Sequence, residues 1–94
     1  MSNYKISKHS YILAEVLGVE LKPSTNPKKK IDVYKDGSKI ASIGDINYKD
    51  YPTYLQNDGK SIADMHRKRY INRHKKDIAV INSNGWYCWK ILWS

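Results

Sequence analysis

The sequence predicts an α+β fold, in which a small antiparallel sheet built on a β-hairpin is packed by a basic amphipathic helix and a Trp-rich C-terminal segment. Apolar residues alternate on both sides of Asp36-Gly37, helical periodicity follows Ser61, and aromatic residues dominate 86–93. Ninety-four residues, 40% of them hydrophobic, suit one domain spanning 1–94. The polar residues 1–9 are expected to be loosely held at its start.

The first predicted element is a short helix that begins at Ser10 and ends at Gly18. Its apolar residues run from Tyr11 to Leu17 at helical spacing, Ser10 suits the N-cap, and Gly18 suits the stop. A strand is the alternative for this stretch. Residues 21–30 are rich in Pro, Ser, Thr and Asn, which predicts a loop that ends in three lysines.

The hairpin is predicted over about residues 30–44. Ile31 and Val33 alternate before the Asp36-Gly37 dipeptide, and Ile40 and Ile43 return after it. Asp-Gly between alternating apolar residues indicates a tight turn, because both turn positions need positive φ. The stretch from Tyr48 to Gly59 is predicted to be a connector that packs onto the domain.

A long helix is predicted from Ser61 to about Asp77. Asp64 stands three residues after Ser61, as in a weak capping box. On a helical wheel one half is predicted to be packed and the other cationic. The packed half contains Ile62, Ala63, His66, Tyr70, Ile71, His74 and Ile78. The cationic half contains Lys68, Arg69, Asn72, Lys75 and Lys76.

The last segment, about 86–93, is apolar and aromatic, and its period fits either a helix or a strand. We favour a helix. Trp86, Trp89 and Trp93 are interpreted mainly as core residues in a chain without Phe, with a base-stacking platform as the alternative.

Charge gives the main functional indication. Seventeen Lys and Arg against nine Asp and Glu give a net charge of +8 and a pI near 9.6, which favours an acidic or phosphate-rich partner. Residues 66–76 contain six Lys and Arg and no acid. Phosphate contacts would relieve this repulsion, whereas a solvated helix face is the alternative. The predicted nucleic-acid-binding residues are Arg67, Lys68, Arg69, Asn72, Arg73, Lys75 and Lys76, with Lys28, Lys29 and Lys30 assisting.

The sequence contains no motif typical of a catalytic or metal-binding site, so we expect neither enzymatic activity nor a cofactor. His66 and His74 stand eight apart without ligand-spaced neighbours, which argues against a metal site. Cys88 is the only cysteine, and no apolar run is long enough for a membrane span. The beginning of the chain lacks a secretory pattern, which predicts an intracellular protein. Tyr48, Tyr51 and Tyr54 are the candidates for a partner contact.

Several segments resemble a family of small uncharacterised proteins of large nucleocytoplasmic DNA viruses, such as the mimivirus and phycodnavirus groups. The similarity covers about residues 20–93. Its most specific part is Arg67-Lys68-Arg69-Tyr70-Ile71-Asn72-Arg73-His74-Lys75-Lys76, and it closes with Gly85-Trp86-Tyr87 and Leu92-Trp93. The chain departs from the family in a longer Pro52–Lys60 connector and in an aromatic that is missing between Asp77 and Gly85.

The resemblance implies a viral protein of the virion or of the viral factory in the host cytoplasm, and it supplies no catalytic residue. Combined with the charge, it favours sequence-nonspecific nucleic-acid binding with a role in genome packaging. The rival function is a minor virion protein whose basic face docks on an acidic protein surface. A host-directed module that uses the tyrosines is a third possibility.

Overall fold

The structure, a computed structural model, describes residues 3–94 in two compact units, Met1–Tyr48 and Lys49–Ser94. We call them the N-terminal and C-terminal units and describe each by itself. The described residues form five helices and one three-stranded antiparallel sheet, which confirms the predicted α+β class.

The N-terminal unit begins with helix α1, Lys8–Leu17. Its N-cap is Ser7, whose hydroxyl accepts a hydrogen bond from the Ser10 N–H at 3.1 Å. The predicted cap at Ser10 is therefore wrong by nearly one turn, since Ser10 lies inside the helix and is buried. The predicted stop is confirmed, because Gly18 adopts a φ of 73° that suits glycine.

The expectation that residues 1–9 are loosely held is wrong for part of that stretch. Ile6 is buried, and the ring of Tyr4 lies 5.1 Å from the ammonium of Lys30. Met1 and Ser2 lie outside the described residues.

The sheet consists of β1 (Glu20–Pro23), β2 (Lys29–Lys35) and β3 (Ser38–Asp45), in that spatial order. The predicted hairpin is confirmed, with φ of 52° at Asp36 and 82° at Gly37, as a tight two-residue turn requires. The predicted loop over 21–30 is wrong at both ends, because β1 runs to Pro23 and β2 begins at Lys29. Pro23 is tolerated there because it ends an edge strand.

Both sides of β2 are buried. Ile31 and Val33 face the apolar side with no exposed surface, and Ile43 of β3 pairs with Ile31. Asp32 points the other way and is also fully buried. Its carboxylate accepts hydrogen bonds of 2.7 Å from the hydroxyls of Ser24 and Ser42, among others, so the buried charge is well solvated by protein groups.

The C-terminal unit contains α2 (Tyr51–Asp58), α3 (Lys60–Arg73), α4 (Lys75–Ile78) and α5 (Asn84–Leu92). The predicted connector over 48–59 is wrong, because most of it forms α2. Asp50 caps this helix by accepting a 3.0 Å hydrogen bond from the Thr53 N–H, and Pro52 lies in the first turn, where it is well tolerated.

The predicted long basic helix exists, but it is broken. α3 begins after Gly59 rather than at Ser61, and no described side chain caps it. Asp64 does not complete a capping box, since its carboxylate binds other partners. His74, with φ −113° and ψ 22°, leaves the helical conformation and separates α3 from α4.

The predicted C-terminal helix is confirmed as α5, with the Ser83 hydroxyl capping it through the Trp86 N–H at 3.2 Å. A Cβ atom at Gly85 would lie only 2.6 Å from Cβ of Asp77, so α5 begins in close contact with the end of α4. Beyond α5, the ring of Trp93 stacks in parallel on Tyr70 at 4.5 Å between centroids.

Candidate nucleic-acid interface

The two sides of α3 differ in exposure, as the helical wheel predicts. From Met65 onward the exposed residues of α3 recur at helical spacing and form one stripe: Met65, Lys68, Arg69, Asn72 and Arg73. The residues between them are buried or half-buried: His66, Arg67, Tyr70 and Ile71. Ile62 departs from the prediction, since it is 39% exposed. One face of the helix is therefore packed, and the other presents cations to solvent.

Aromatic rings hold the packed side of α3. His66 stacks on Tyr54 with the ring centroids 3.8 Å apart, and Tyr70 lies between Trp93 at 4.5 Å and His74 at 4.4 Å. Burial, reinforced by the neighbouring Cys88, raises the pKa of Tyr70 strongly, so this phenol stays neutral. Both histidines thus act as packing rings, and the described residues contain no cluster of three His, Cys, Asp or Glu side chains that could hold a metal ion.

Along the first eight residues of α3, two cations share one carboxylate of the protein. The Asp64 carboxylate lies 2.6 Å from Nζ of Lys60 and 3.2 Å from Nη2 of Arg67, and it accepts a 2.7 Å hydrogen bond from the Tyr51 hydroxyl. The hydrogen bond from Lys60, followed by that from Tyr51, lowers the pKa of Asp64. The hydrogen bond between the Tyr51 hydroxyl and Asp64 also raises the pKa of Tyr51.

Arg67 therefore does not belong to the exposed set predicted from the sequence. Besides its ion pair, its guanidinium lies 4.3 Å from the centroid of the Tyr51 ring. Asp64 lies in α3 and Tyr51 in α2, so the Arg67 side chain links the two helices.

The other five cations of the predicted cluster lie on exposed positions. Among the ion pairs of residues 3–94, none involves any member of this set: Lys68, Arg69, Arg73, Lys75 and Lys76. We call these five residues the cationic face. The nearest acid in sequence, Asp77, directs its carboxylate to Nδ1 of His74 at 3.2 Å. Asn72 is exposed within the same stripe.

The three predicted assisting lysines belong to the N-terminal unit and differ from one another. Lys28 is exposed and Lys29 is half-buried. Lys30 is only 4% exposed and lies over the Tyr4 ring, so its prediction as a surface contact is wrong. Its place in β2, on the side that the Tyr4 ring covers, explains the burial.

The three tyrosines predicted as partner contacts also separate. Tyr48 is 71% exposed and remains a candidate. Tyr51 is 5% exposed and bonds to Asp64, and Tyr54 is half-buried against His66, so the prediction is wrong for both. The reason is α2, whose formation turns these two rings toward the packed side of the unit.

Two exposed features escaped the sequence reasoning. Val80 and Ile81, between α4 and α5, are 59% and 70% exposed. The second feature is Lys90, whose ammonium lies 4.5 Å from the ring centroid of Trp89 and 5.6 Å from that of Trp86. Both of these indoles are half-buried, so Trp93 alone of the three tryptophans is buried. The signal for the first feature was the aliphatic pair directly before Asn82-Ser83-Asn84-Gly85, where a turn leaves little core to cover it.

None of the helices in the described range combines the length and the apolar character that a bilayer crossing requires. Comparison with protein-family models, with curated proteins and with solved structures gives no match.

Proposed function

We propose that this protein binds nucleic acid without base-sequence specificity, through phosphate contacts from the cationic face, and that it has no catalytic role. The observation that carries the proposal is a contrast along α3 and α4. Lys60 and Arg67 are paired with Asp64, whereas the five cations that follow have no carboxylate partner among the described residues. Unpaired cations in one row suit a polyanion.

The helix dipole accounts for only part of this set. A cation near the C-terminus of a helix is stabilising, and Arg73 lies in the last turn of α3, as Lys75 and Lys76 do in that of α4. Lys68 and Arg69 lie earlier. Arg69 and Arg73 are four residues apart, and like charges at this spacing destabilise a helix by a few tenths of a kcal/mol. Bound phosphates would turn this repulsion into attraction.

The dimensions of the cationic face also suit a nucleic acid. At about 1.5 Å per residue, Lys68 and Arg73 are separated by roughly 7.5 Å along α3, which is about two base-pair steps of a duplex at 3.4 Å each. Lys75 and Lys76 follow in α4 and are exposed as well. Asn72 stands within the row, and its amide is of the type that contacts base edges, although phosphate contacts alone support the proposed binding.

The test is the salt dependence of binding, measured by fluorescence anisotropy on a labelled duplex, a single-stranded DNA and an RNA between about 50 and 200 mM salt. Five phosphate contacts predict a slope of log K against log salt concentration of about −4.5 on duplex DNA. Affinity that does not respond to salt would rule out phosphate contacts on any of the three.

The rival proposal is docking on an acidic protein surface, and the same exposed cations would serve it. Crosslinking in purified viral particles separates the two. Crosslinks to the genome support nucleic-acid binding, whereas a fixed stoichiometry in the shell without such crosslinks supports the rival. The viral origin implied by the sequence resemblance, and with it the role in genome packaging, stays a prediction.

A further inference from the structure

The turn between α4 and α5 carries an exposed aliphatic pair. Val80 and Ile81 are 59% and 70% exposed, whereas the other exposed large apolar side chains among the described residues of this unit are about 40% exposed: Leu55, Ile62 and Met65. We call Val80 and Ile81 the tip. Scattered surface aliphatics are ordinary, but two adjacent ones at a turn form a small apolar projection.

The backbone holds the tip in place. The Val80 N–H donates to the Asp77 carbonyl at 3.4 Å, and the Ser83 N–H donates to the Val80 carbonyl at 3.1 Å. Asn82 adopts a positive φ of 68°, and its side-chain oxygen accepts a 3.2 Å hydrogen bond from the Tyr87 hydroxyl. The turn therefore presents its aliphatic side chains in a fixed conformation, which lowers the entropy cost of using them in binding.

The tip directly continues the cationic face. Lys76 lies in α4, which ends at Ile78, and the Val80 N–H donates to the Asp77 carbonyl, so the tip begins within one turn of the end of this helix. A phosphate backbone bound at Lys75 and Lys76 would therefore pass close to Val80 and Ile81. Cations beside an apolar projection are the combination found in proteins that bend a duplex by inserting side chains between base pairs.

We propose that Val80 and Ile81 form a wedge that inserts between neighbouring base pairs from the minor groove of duplex DNA. This inference rests on the proposed function, because the cationic face would hold the backbone while the tip enters the groove. Insertion removes the two side chains from water and partly unstacks one base step, which kinks the duplex.

The residues that follow the tip favour a nucleic acid over a lipid surface. Asn82, Ser83 and Asn84 stand immediately behind it, and their polar groups would be costly to bury in hydrocarbon. In a minor groove, Asn side chains find the acceptors of base edges. Two aliphatic residues also suit one base step better than they suit anchoring in a bilayer, which takes a larger apolar surface.

The experiment measures the end-to-end energy transfer of a short duplex labelled at both ends, together with affinity, for the full chain and for the double variant V80S/I81S. Both residues are exposed, so the variant is expected to fold normally. V16S is the matched control, since Val16 is 81% exposed on α1. The wild-type chain is expected to raise the energy transfer by bending the duplex. V80S/I81S is expected to abolish this rise and to weaken binding about tenfold, with an unchanged salt slope.

The outcomes separate this inference from the proposed function. A steep salt slope without bending, or with equal bending by V80S/I81S, overturns the wedge and leaves the phosphate contacts standing. Equal losses in V16S also overturn it. Absence of any salt-dependent binding overturns both proposals. The last measurement is binding of the protein to phosphatidylserine vesicles. If V80S/I81S loses vesicle binding but binds the duplex as the wild type does, the tip contacts lipid and the wedge is overturned.

Discussion

The carboxylate of Asp64 lies 3.2 Å from the guanidinium of Arg67, and this ion pair marks where the internal cations of α3 end. Arg69, two residues later, is exposed on the cationic face. Two arginines that look equivalent in the sequence therefore differ in their surroundings, since Arg67 has partners within the fold and Arg69 is exposed.

Exchanging each arginine for glutamine separates these roles. R67Q removes the pair with Asp64 and the contact with the Tyr51 ring, so we expect a loss of about 0.5–1.5 kcal/mol in the free energy of unfolding and little change in nucleic-acid affinity. R69Q is expected to leave stability within about 0.5 kcal/mol and to weaken binding. Urea unfolding and anisotropy on both variants check this, and equal effects of the two substitutions would refute the division.

The stability of the protein should fall in acid through Asp32. Burial alone would raise the pKa of this carboxyl, but hydrogen bonds from Ser42, Ser24 and Thr25, with the charge of Lys39, lower it from 3.8 to about 2. A depressed folded-state pKa stabilises the fold above the unfolded-state value, and this contribution is lost as the pH falls from about 4 to about 2. The shift corresponds to roughly 2 kcal/mol.

Urea unfolding of the wild type and of D32N at neutral pH and near pH 2 measures this contribution. D32N is expected to be less stable at neutral pH by 2 kcal/mol or more, because its amide also faces two hydroxyls that donate to the carboxylate. The difference between the two proteins should narrow at the acid end. A difference that stays constant between neutral pH and pH 2 would show that ionisation of Asp32 does not stabilise the folded protein.

A methyl group at Gly85 should destabilise the C-terminal unit. Alanine normally favours a helix over glycine by about 1 kcal/mol, but here its Cβ would approach Asp77 to 2.6 Å at Cβ and 3.2 Å at the backbone. We expect a net loss of about 1–3 kcal/mol in G85A. N84A, at the exposed neighbouring position, serves as control. A stabilised G85A protein would mean that α4 and α5 are further apart than the structure has them.

Two tryptophans of the Trp-rich segment, Trp89 and Trp93, should differ in their effect on stability. Trp93 is 7% exposed and stacks on Tyr70, so W93A is expected to lose about 3–5 kcal/mol. Trp89 is half-buried with Lys90 over its ring, so W89A should lose clearly less. Thermal unfolding by circular dichroism compares them, and a larger loss in W89A would contradict the assignment of Trp93 as the core residue.

The elements that the sequence predicts well are those fixed by local chemistry. The Asp36-Gly37 turn, the Gly18 stop and the basic helix all follow from backbone preferences or periodicity that act within a few residues. β1 was missed because it is only four residues long and ends in proline, although Val19 and Leu21 alternate with Glu20 and Lys22; it exists through pairing with β2. α2 was missed because Asp, Pro and Tyr suit a loop as well as a capped helix start.

The candidate site was predicted in outline and corrected in detail. Charge and periodicity placed Lys68 and Arg69 on an exposed face, which the structure bears out. The same reasoning included Arg67 and Lys30. The Asp64–Arg67 pair has an i,i+3 spacing that the sequence does display, and it was overlooked. The ring of Tyr4 beside Lys30 is far along the chain, and such a contact becomes known only from the fold.

The most direct test of the cationic face compares the salt slopes of duplex binding for the wild type, R69Q/R73Q and the charge-matched control K8Q/K35Q, whose lysines are exposed in the N-terminal unit. Each lost phosphate contact removes about 0.9 from the magnitude of the slope, so we predict a decrease of about 1.8 for R69Q/R73Q and almost none for the control. Equal decreases in the two variants would contradict the assignment, since they would show that net charge alone governs binding.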